Sequence, residues 1–305
     1  MSELCGYLNI YKEQGMTSHD VVFKARKILK TKKIGHTGTL DPNAQGVLVL
    51  CIGRATKMVQ FLSDLDKCYQ AEIILGKATD TCDITGTILE EKSPEGITEA
   101  HFLEALNAFY GESMQVPPLY SALKVDGRKL YEYARAGESV EIAARPIVIS
   151  EIRPVKTDQL PEQAEFLVQC SKGTYIRSLC RDIGAYLGVP ACMGNLYRKR
   201  VGGFRMETAV TLEELAHIVE EGRIDTVLQP IHYGLDSFKK VEANERGSRF
   251  IRNGNALFPW NVRGDFSGLK DGELVKLYAD DAFIGMGKFT EGEENPCVKP
   301  VRLLV

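Results

Sequence analysis

The stretch Gly35-His36-Thr37-Gly38-Thr39-Leu40-Asp41-Pro42-Asn43-Ala44-Gln45-Gly46 constrains the fold more than any other part of the chain. Its glycines permit close backbone approach and Asp41-Pro42 is a usual turn initiator, so the segment reads as a loop displaying His36 and Asp41. Ahead of it, Thr17-Ser18-His19-Asp20 is a helix-start signal with Thr17 or Ser18 as N-cap. Val21, Val22, Ala25, Ile28 and Leu29 then recur at helical spacing. The opposite face carries Lys24, Arg26, Lys27 and Lys30, which reads either as a solvated face complementing the helix dipole or as a phosphate contact. Behind the loop, Val47 to Ile52 is a continuous apolar run, a buried strand. The fold must therefore lead a basic amphipathic helix into a buried strand through a loop bearing an acid and an imidazole.

The rest of the chain alternates strands and helices. Leu8, Ile10 and Tyr11 suggest a first strand ended by Gly15, and Lys67 to Gly76 a strand ended by its glycine. A helix runs through Met58, Val59, Phe61 and Leu62, and a second, capped by Thr98, through Phe102, Leu103, Leu106 and Phe109. Thr79 to Gly86 is turn chemistry before a strand at Thr87-Ile88-Leu89, and strands are expected at Ile147–Ile152 and Ala164–Cys170. Ser171 to Arg177 enters a helix through Leu179, Ile183 and Leu187, and Thr211-Leu212-Glu213-Glu214 is a capping box. Pro117-Pro118 break regular structure, and from Lys124 to Arg135 the chain mixes basic and aromatic residues, which suits either RNA contact or a solvated helix with two packed tyrosines. Past Tyr233-Gly234-Leu235-Asp236 short strands and Gly or Asp turns dominate, with Leu274–Ala279 and Ala282–Phe289 joined at Asp280-Asp281. This places a domain boundary near residue 236, leaving residues 237–305 as a small β-rich domain.

At 305 residues there is room for both domains. The net charge of −3 argues mildly against a nucleic-acid partner if taken globally, but local clustering is what binds phosphate. Six cations fall between Lys24 and Lys33, and Arg198-Lys199-Arg200 with Arg205 makes a second cluster. No apolar run is long enough to span a bilayer, and Met1 to Cys5 lacks the order of a signal peptide, so a cytoplasmic protein without membrane contact is expected. Eight cysteines, none in a Cys-x-x-Cys pair, read as reduced and structural, and no metal follows from them.

The Gly35–Gly46 loop lacks the Gly-Lys-Ser/Thr ending of a P-loop and the Gly-x-Gly-x-x-Gly of a dinucleotide loop. However, Gly35-His36-Thr37-Gly38-Thr39-Leu40-Asp41-Pro42 resembles the catalytic motif of the TruB family, bacterial tRNA pseudouridine-55 synthases. The order and spacing of Gly6–Val22, Gly53–Lys57, Lys67-Cys68-Tyr69, Pro118–Lys124 and Ser171–Arg177 are similar to the family as well. The tail from about Ser237 more weakly resembles a PUA-type RNA-binding domain. Departures are Gln45 where Thr is common, Glu13 where Pro is typical and Cys68 where a basic residue is frequent.

The resemblance implies an α+β fold: a mixed, largely antiparallel catalytic domain over residues 1–236 with a PUA-like domain over 237–305. It implies a cofactor-free isomerase whose partner is the T-arm of tRNA, acting as a monomer on a nucleotide flipped into a pocket. Asp41 would act on the ribose, as nucleophile or as base, with Arg177 paired to it and Tyr69 stacked on the flipped base. Tyr175 and Leu196 would line the uridine pocket, His36 would lie near the flipped nucleotide, and Lys12 would be a basic substrate-binding residue. Read alone, Tyr69, Tyr175 and Leu196 are ordinary core positions, and Arg177 an ordinary surface arginine.

Overall fold

The computed structural model describes residues 4–292 and 294–304, so the first residues of the N-terminal reading lie outside it. The first half of the chain contains β1 (Gly6–Lys12), α1 (Ser18–Ile28), β2 (Ile34–His36), β3 (Gln45–Ile52), α2 (Val59–Ser63) and β4 (Lys67–Leu75). It continues with β5 (Lys77–Thr79), β6 (Ile88–Glu91), α3 (Glu99–Ala108), β7 (Gly111–Gln115), β8 (Lys124–Val125), β9 (Arg128–Lys129) and α4 (Leu130–Ala136). Then follow β10 (Arg145–Lys156), β11 (Gln163–Cys170), α5 (Ile176–Tyr186), β12 (Ala191–Val201), β13 (Phe204–Arg205) and α6 (Leu212–Glu220). The tail holds β14 (Lys239–Glu242), α7 (Glu245–Arg252), β15 (Leu274–Ala279), β16 (Ala282–Thr290) and β17 (Cys297–Leu303).

One nine-stranded sheet has the order β1-β3-β12-β4-β11-β10-β7, with β2 on β3 and β13 on β12. All its pairings are antiparallel except β3 with β12, so the expected mixed α+β architecture is present. Strands β4 and β11 alternate, burying Ala71, Ile73, Phe166 and Val168 against α3 and α5. Strands β1 and β3 are covered on both faces, which is why β3 reads as a continuous apolar run. On one side Leu8, Ile10, Leu48 and Leu50 meet α1 and α6; on the other Tyr7, Val47 and Val49 meet α2 and, from the tail, Met286 and Leu304. The tail has its own four-stranded sheet, β14-β15-β16-β17. Its β15–β16 turn places Asp280 and Asp281 at φ of 51° and 59°, the left-handed pair a two-residue hairpin demands.

Local structure departs from the sequence reading in several places. The Gly35–Gly46 stretch is not loop throughout: Gly35 and His36 pair with Cys51 and Leu50 as β2, and Gln45-Gly46 already belong to β3. Strand β12 has no counterpart among the expected elements, because its Arg198-Lys199-Arg200 run resembled a surface cluster. Strand alternation instead turns Arg198 inward, 2% exposed. Helix α7 has no counterpart in the reading of a β-rich tail, and the expected strand at β6 is exposed along its length. Thr17, not Ser18, caps α1 through a capping box with Asp20.

All eight cysteines are free thiols; six are buried, and burial pushes Cys51 and Cys170 up to about 12. Among the described residues no cluster of His, Cys, Asp and Glu could hold a metal ion, and no helix is long and apolar enough to cross a membrane.

Candidate active site

The sheet register builds the site. Lys12 of β1 lies opposite Gly46 of β3, Gly46 opposite Arg198 of β12, and Arg198 opposite Tyr69 of β4. Both cations in this row reach back to the loop preceding Gly46. Lys12 is fully buried and its Nζ donates to the carbonyls of Pro42 (3.1 Å), Ala44 (2.6 Å) and Glu13 (3.1 Å). The Arg198 guanidinium donates to Val47 (2.7 Å), Gly38 (3.0 Å) and Thr39 (3.4 Å). Buried Ser18 adds a third support, accepting from Leu40 N at 2.9 Å and donating to its carbonyl at 3.2 Å. The loop carbonyls thus find cationic or hydroxyl donors where no ladder could serve them.

Gly46 is required where the row is tightest. Its φ is +102°, and a Cβ would lie 2.3 Å from the Arg198 carbonyl oxygen. Gly46→Ala should lower stability in urea titration by roughly 2–4 kcal/mol, from backbone strain and overpacking together. A variant as stable as the parent would show that the row can open without cost.

Asp41 stands in the turn so fixed. Its carbonyl accepts from Ala44 N at 3.0 Å, so the pair Asp41-Pro42 does form a turn, and the carboxylate is left to project. Arg177, in the first turn of α5, meets it with Nε 2.9 Å from one carboxylate oxygen and Nη2 3.4 Å from the other. The same guanidinium donates to the carbonyls of Thr81 (3.1 Å) and Tyr120 (2.9 Å), and Nε lies 3.9 Å from Asp83. A cation at the positive end of a helix is normally disfavoured, and the two carboxylates offset that here. The Arg177 side chain is 8% exposed and that of Asp41 38%, so the pair is anchored inside and open on the acid's side.

The opening leads to a cavity of about 790 Å³ lined by Asp41, Arg177, Tyr69, His36, Tyr175 and Leu196 among others. The structure thus brings together six of the seven residues singled out in the sequence. Burial pushes the Tyr69 phenol above its ordinary value, with nearby Arg198 opposing, so Tyr69 is protonated at neutral pH. His36 is held below its ordinary value by burial and then by His19 and Arg198, and its buried Nδ1 has no partner among the described residues. Gln115 fixes Tyr175 through its backbone, accepting from the amide at 2.8 Å and donating to the carbonyl at 3.1 Å. Tyr131 of α4 also lines the cavity, with Lys129 and Arg135 against its ring.

Lys12 is the seventh, and it is a correction. Its three ammonium protons are taken by backbone carbonyls and it does not line the cavity, so it positions the loop rather than touching a ligand there. Asp83, Arg198 and Ser18 are not among the site residues singled out in the sequence. Asp83 lay in a segment read only as a turn, where its carboxylate does accept from Thr81 and Thr85. Nothing local shows that its other oxygen faces Arg177.

A family model described as TruB family pseudouridylate synthase, N-terminal domain, matches residues 26–176, and one described as tRNA pseudouridylate synthase B C-terminal domain matches 177–236. The tRNA pseudouridine synthase B of Bacillus pumilus is 48% identical over 98% of this chain and 97% of its own length. The chain belongs to the TruB family. The Clostridioides difficile tRNA pseudouridine synthase B is 40% identical, over 98% of this chain and 99% of its own. Among solved structures, an H/ACA ribonucleoprotein bound to a substrate RNA containing 2′-deoxyuridine contains a chain similar at TM-score 0.76 and 26% identity, covering 98% of this chain and 85% of that one. The fold of this TruB-family chain is therefore shared with a chain of that ribonucleoprotein.

Proposed function

We propose that the protein converts uridine 55 in the T-loop of tRNA to pseudouridine, with Asp41 as the carboxylate that acts on the ribose. The observation that carries this reading is the Asp41–Arg177 pair opening onto a cavity of about 790 Å³ faced by Tyr69. That volume suits a flipped nucleotide, and relatives named tRNA pseudouridine synthase B supply the substrate class.

The reaction needs one bond broken and one made. The C1′–N1 bond breaks with its electron pair remaining on the base, which then turns until C5 faces C1′. C5 bonds to C1′ and loses its proton, and N1 gains one. An ionised Asp41 serves either by attacking the anomeric carbon or by removing a proton from the neighbouring carbon. Arg177 fixes both carboxylate oxygens for either route. Tyr69 stacks on the base, and burial keeps its phenol neutral, able to donate a hydrogen bond to the ring. Tyr175, Leu196 and His36 line the pocket around the nucleotide.

In this reading residues 1–236 form the catalytic domain and 237–305 a PUA-like RNA-binding domain, on which Trp260 is 55% exposed and stacked against Phe258 beside basic α7. The protein acts as a monomer in the cytoplasm, with the T-arm of tRNA as its partner. Purified protein incubated with an unmodified tRNA transcript should form pseudouridine in the T-loop without added cofactor or metal. Tight tRNA binding with no product would replace this reading with that of an RNA-binding protein.

A further inference from the structure

Five cations surround the loop and cavity, and four are accounted for: Lys12 and Arg198 hold loop carbonyls, Arg177 holds Asp41, and exposed Lys172 pairs with Asp64. The fifth, Lys67, is not. It opens β4, is 8% exposed, and lines the same cavity as Tyr69. Strand alternation puts its side chain on the Tyr69 face, about 7 Å along the strand. Its Nζ donates to the Ser63 carbonyl at 2.5 Å, and among the described residues it has no second acceptor and no carboxylate partner. Two of its three protons are thus uncommitted. Burial holds it down to about 8, with Arg198 working the same way and Cys170, Asp64 and Asp66 working against it. Nearby Asp64 is engaged elsewhere, 2.9 Å from Lys172.

A buried ammonium without a counter-charge costs stability, and an apolar chain of the same length would fill the space. The cavity therefore presents positive charge for an anion that arrives only with the substrate. A backbone phosphate stays with the RNA strand outside, whereas the base is the part that enters. Resting on the reaction proposed above, cleavage of C1′–N1 leaves the electron pair on the detached uracil, spread over N1, O2 and O4. We propose that Lys67 is a catalytic residue that stabilises the negative charge of the detached uracil, from the same strand face on which Tyr69 meets the ring. Its contribution is greatest when the bond has broken, so it lowers the barrier rather than tightening RNA binding.

The test compares Lys67→Met with the parent enzyme in single-turnover reactions on T-arm RNA carrying uridine or 5-fluorouridine at the target, following loss of the starting nucleoside. Fluorine withdraws electrons and makes the departing base a better leaving group, so it needs less help. Lys67→Met should slow uridine about 100-fold, slow 5-fluorouridine less than about tenfold, and leave RNA affinity within about threefold. Equal slowing on both bases would reduce Lys67 to a structural role and overturn the proposal. A defect confined to affinity would make it a phosphate contact and overturn it equally. Lys67→Gln is read the same way should the Met variant fail to melt cooperatively. Pseudouridine formation by the parent enzyme tests the function itself, independently of the ratio between the two bases.

Discussion

Asp41→Asn should abolish turnover, a loss of about 10⁴-fold or more, while tRNA affinity stays within about tenfold. The substitution keeps size and shape, and the loop does not depend on the carboxylate. It is held by Lys12 and Arg198 through backbone carbonyls, by Ser18 at Leu40, and by the Ala44 amide on the Asp41 carbonyl. An amide removes the negative charge, and with it both possible acts on the ribose. Affinity persists because phosphate contacts supply most of it. Single-turnover pseudouridine formation and filter binding on one preparation measure both, and a variant that retained its rate would remove Asp41 from the chemistry.

Arg177→Lys is expected to be damaging as well, about 10²- to 10³-fold in turnover, although it preserves charge. The guanidinium serves both Asp41 oxygens and the Thr81 and Tyr120 carbonyls, in directions a planar fork can reach together. An ammonium is a point donor that would satisfy some and leave the others, letting the Asp41 carboxylate turn. Because Arg177 itself is buried, the carbonyls left unserved should also lower thermal stability, so turnover is compared at a temperature where both proteins are folded. A Lys variant with normal turnover would show that charge alone suffices.

Helices and strands with a clear pattern were legible in the sequence: α1 with a cap at Thr17 or Ser18, β3 as a buried run, the partial alternation of β4 and the Asp280-Asp281 hairpin. Strand β12 was hidden because its basic residues look like surface, and only a fold that supplies carbonyls to Arg198 makes that side chain an interior one. The cavity residues became legible through family resemblance rather than local pattern, since a tyrosine in a strand or an arginine in a helix carries no mark of its role. What stayed illegible were partners distant in the chain. Asp83 faces Arg177, and Ser18 reaches Leu40, only because of tertiary packing. Lys12 shows the opposite failure: its residue type suggested contact with RNA, and its burial gives it a different task.

The row that runs Lys12, Gly46, Arg198, Tyr69 has a consequence for when the site comes into being. It joins points near the start of the chain to one almost two-thirds of the way along. Neither Arg198 nor Arg177 exists while the first half of the chain is being synthesised, so Asp41 emerges without the groups that orient it. The β3–β12 pairing is parallel and closes a long loop, a kind of contact that forms slowly. Competence therefore comes with the central strand that arrives late, and a nascent chain carrying the entire loop has no assembled centre until that strand is in place.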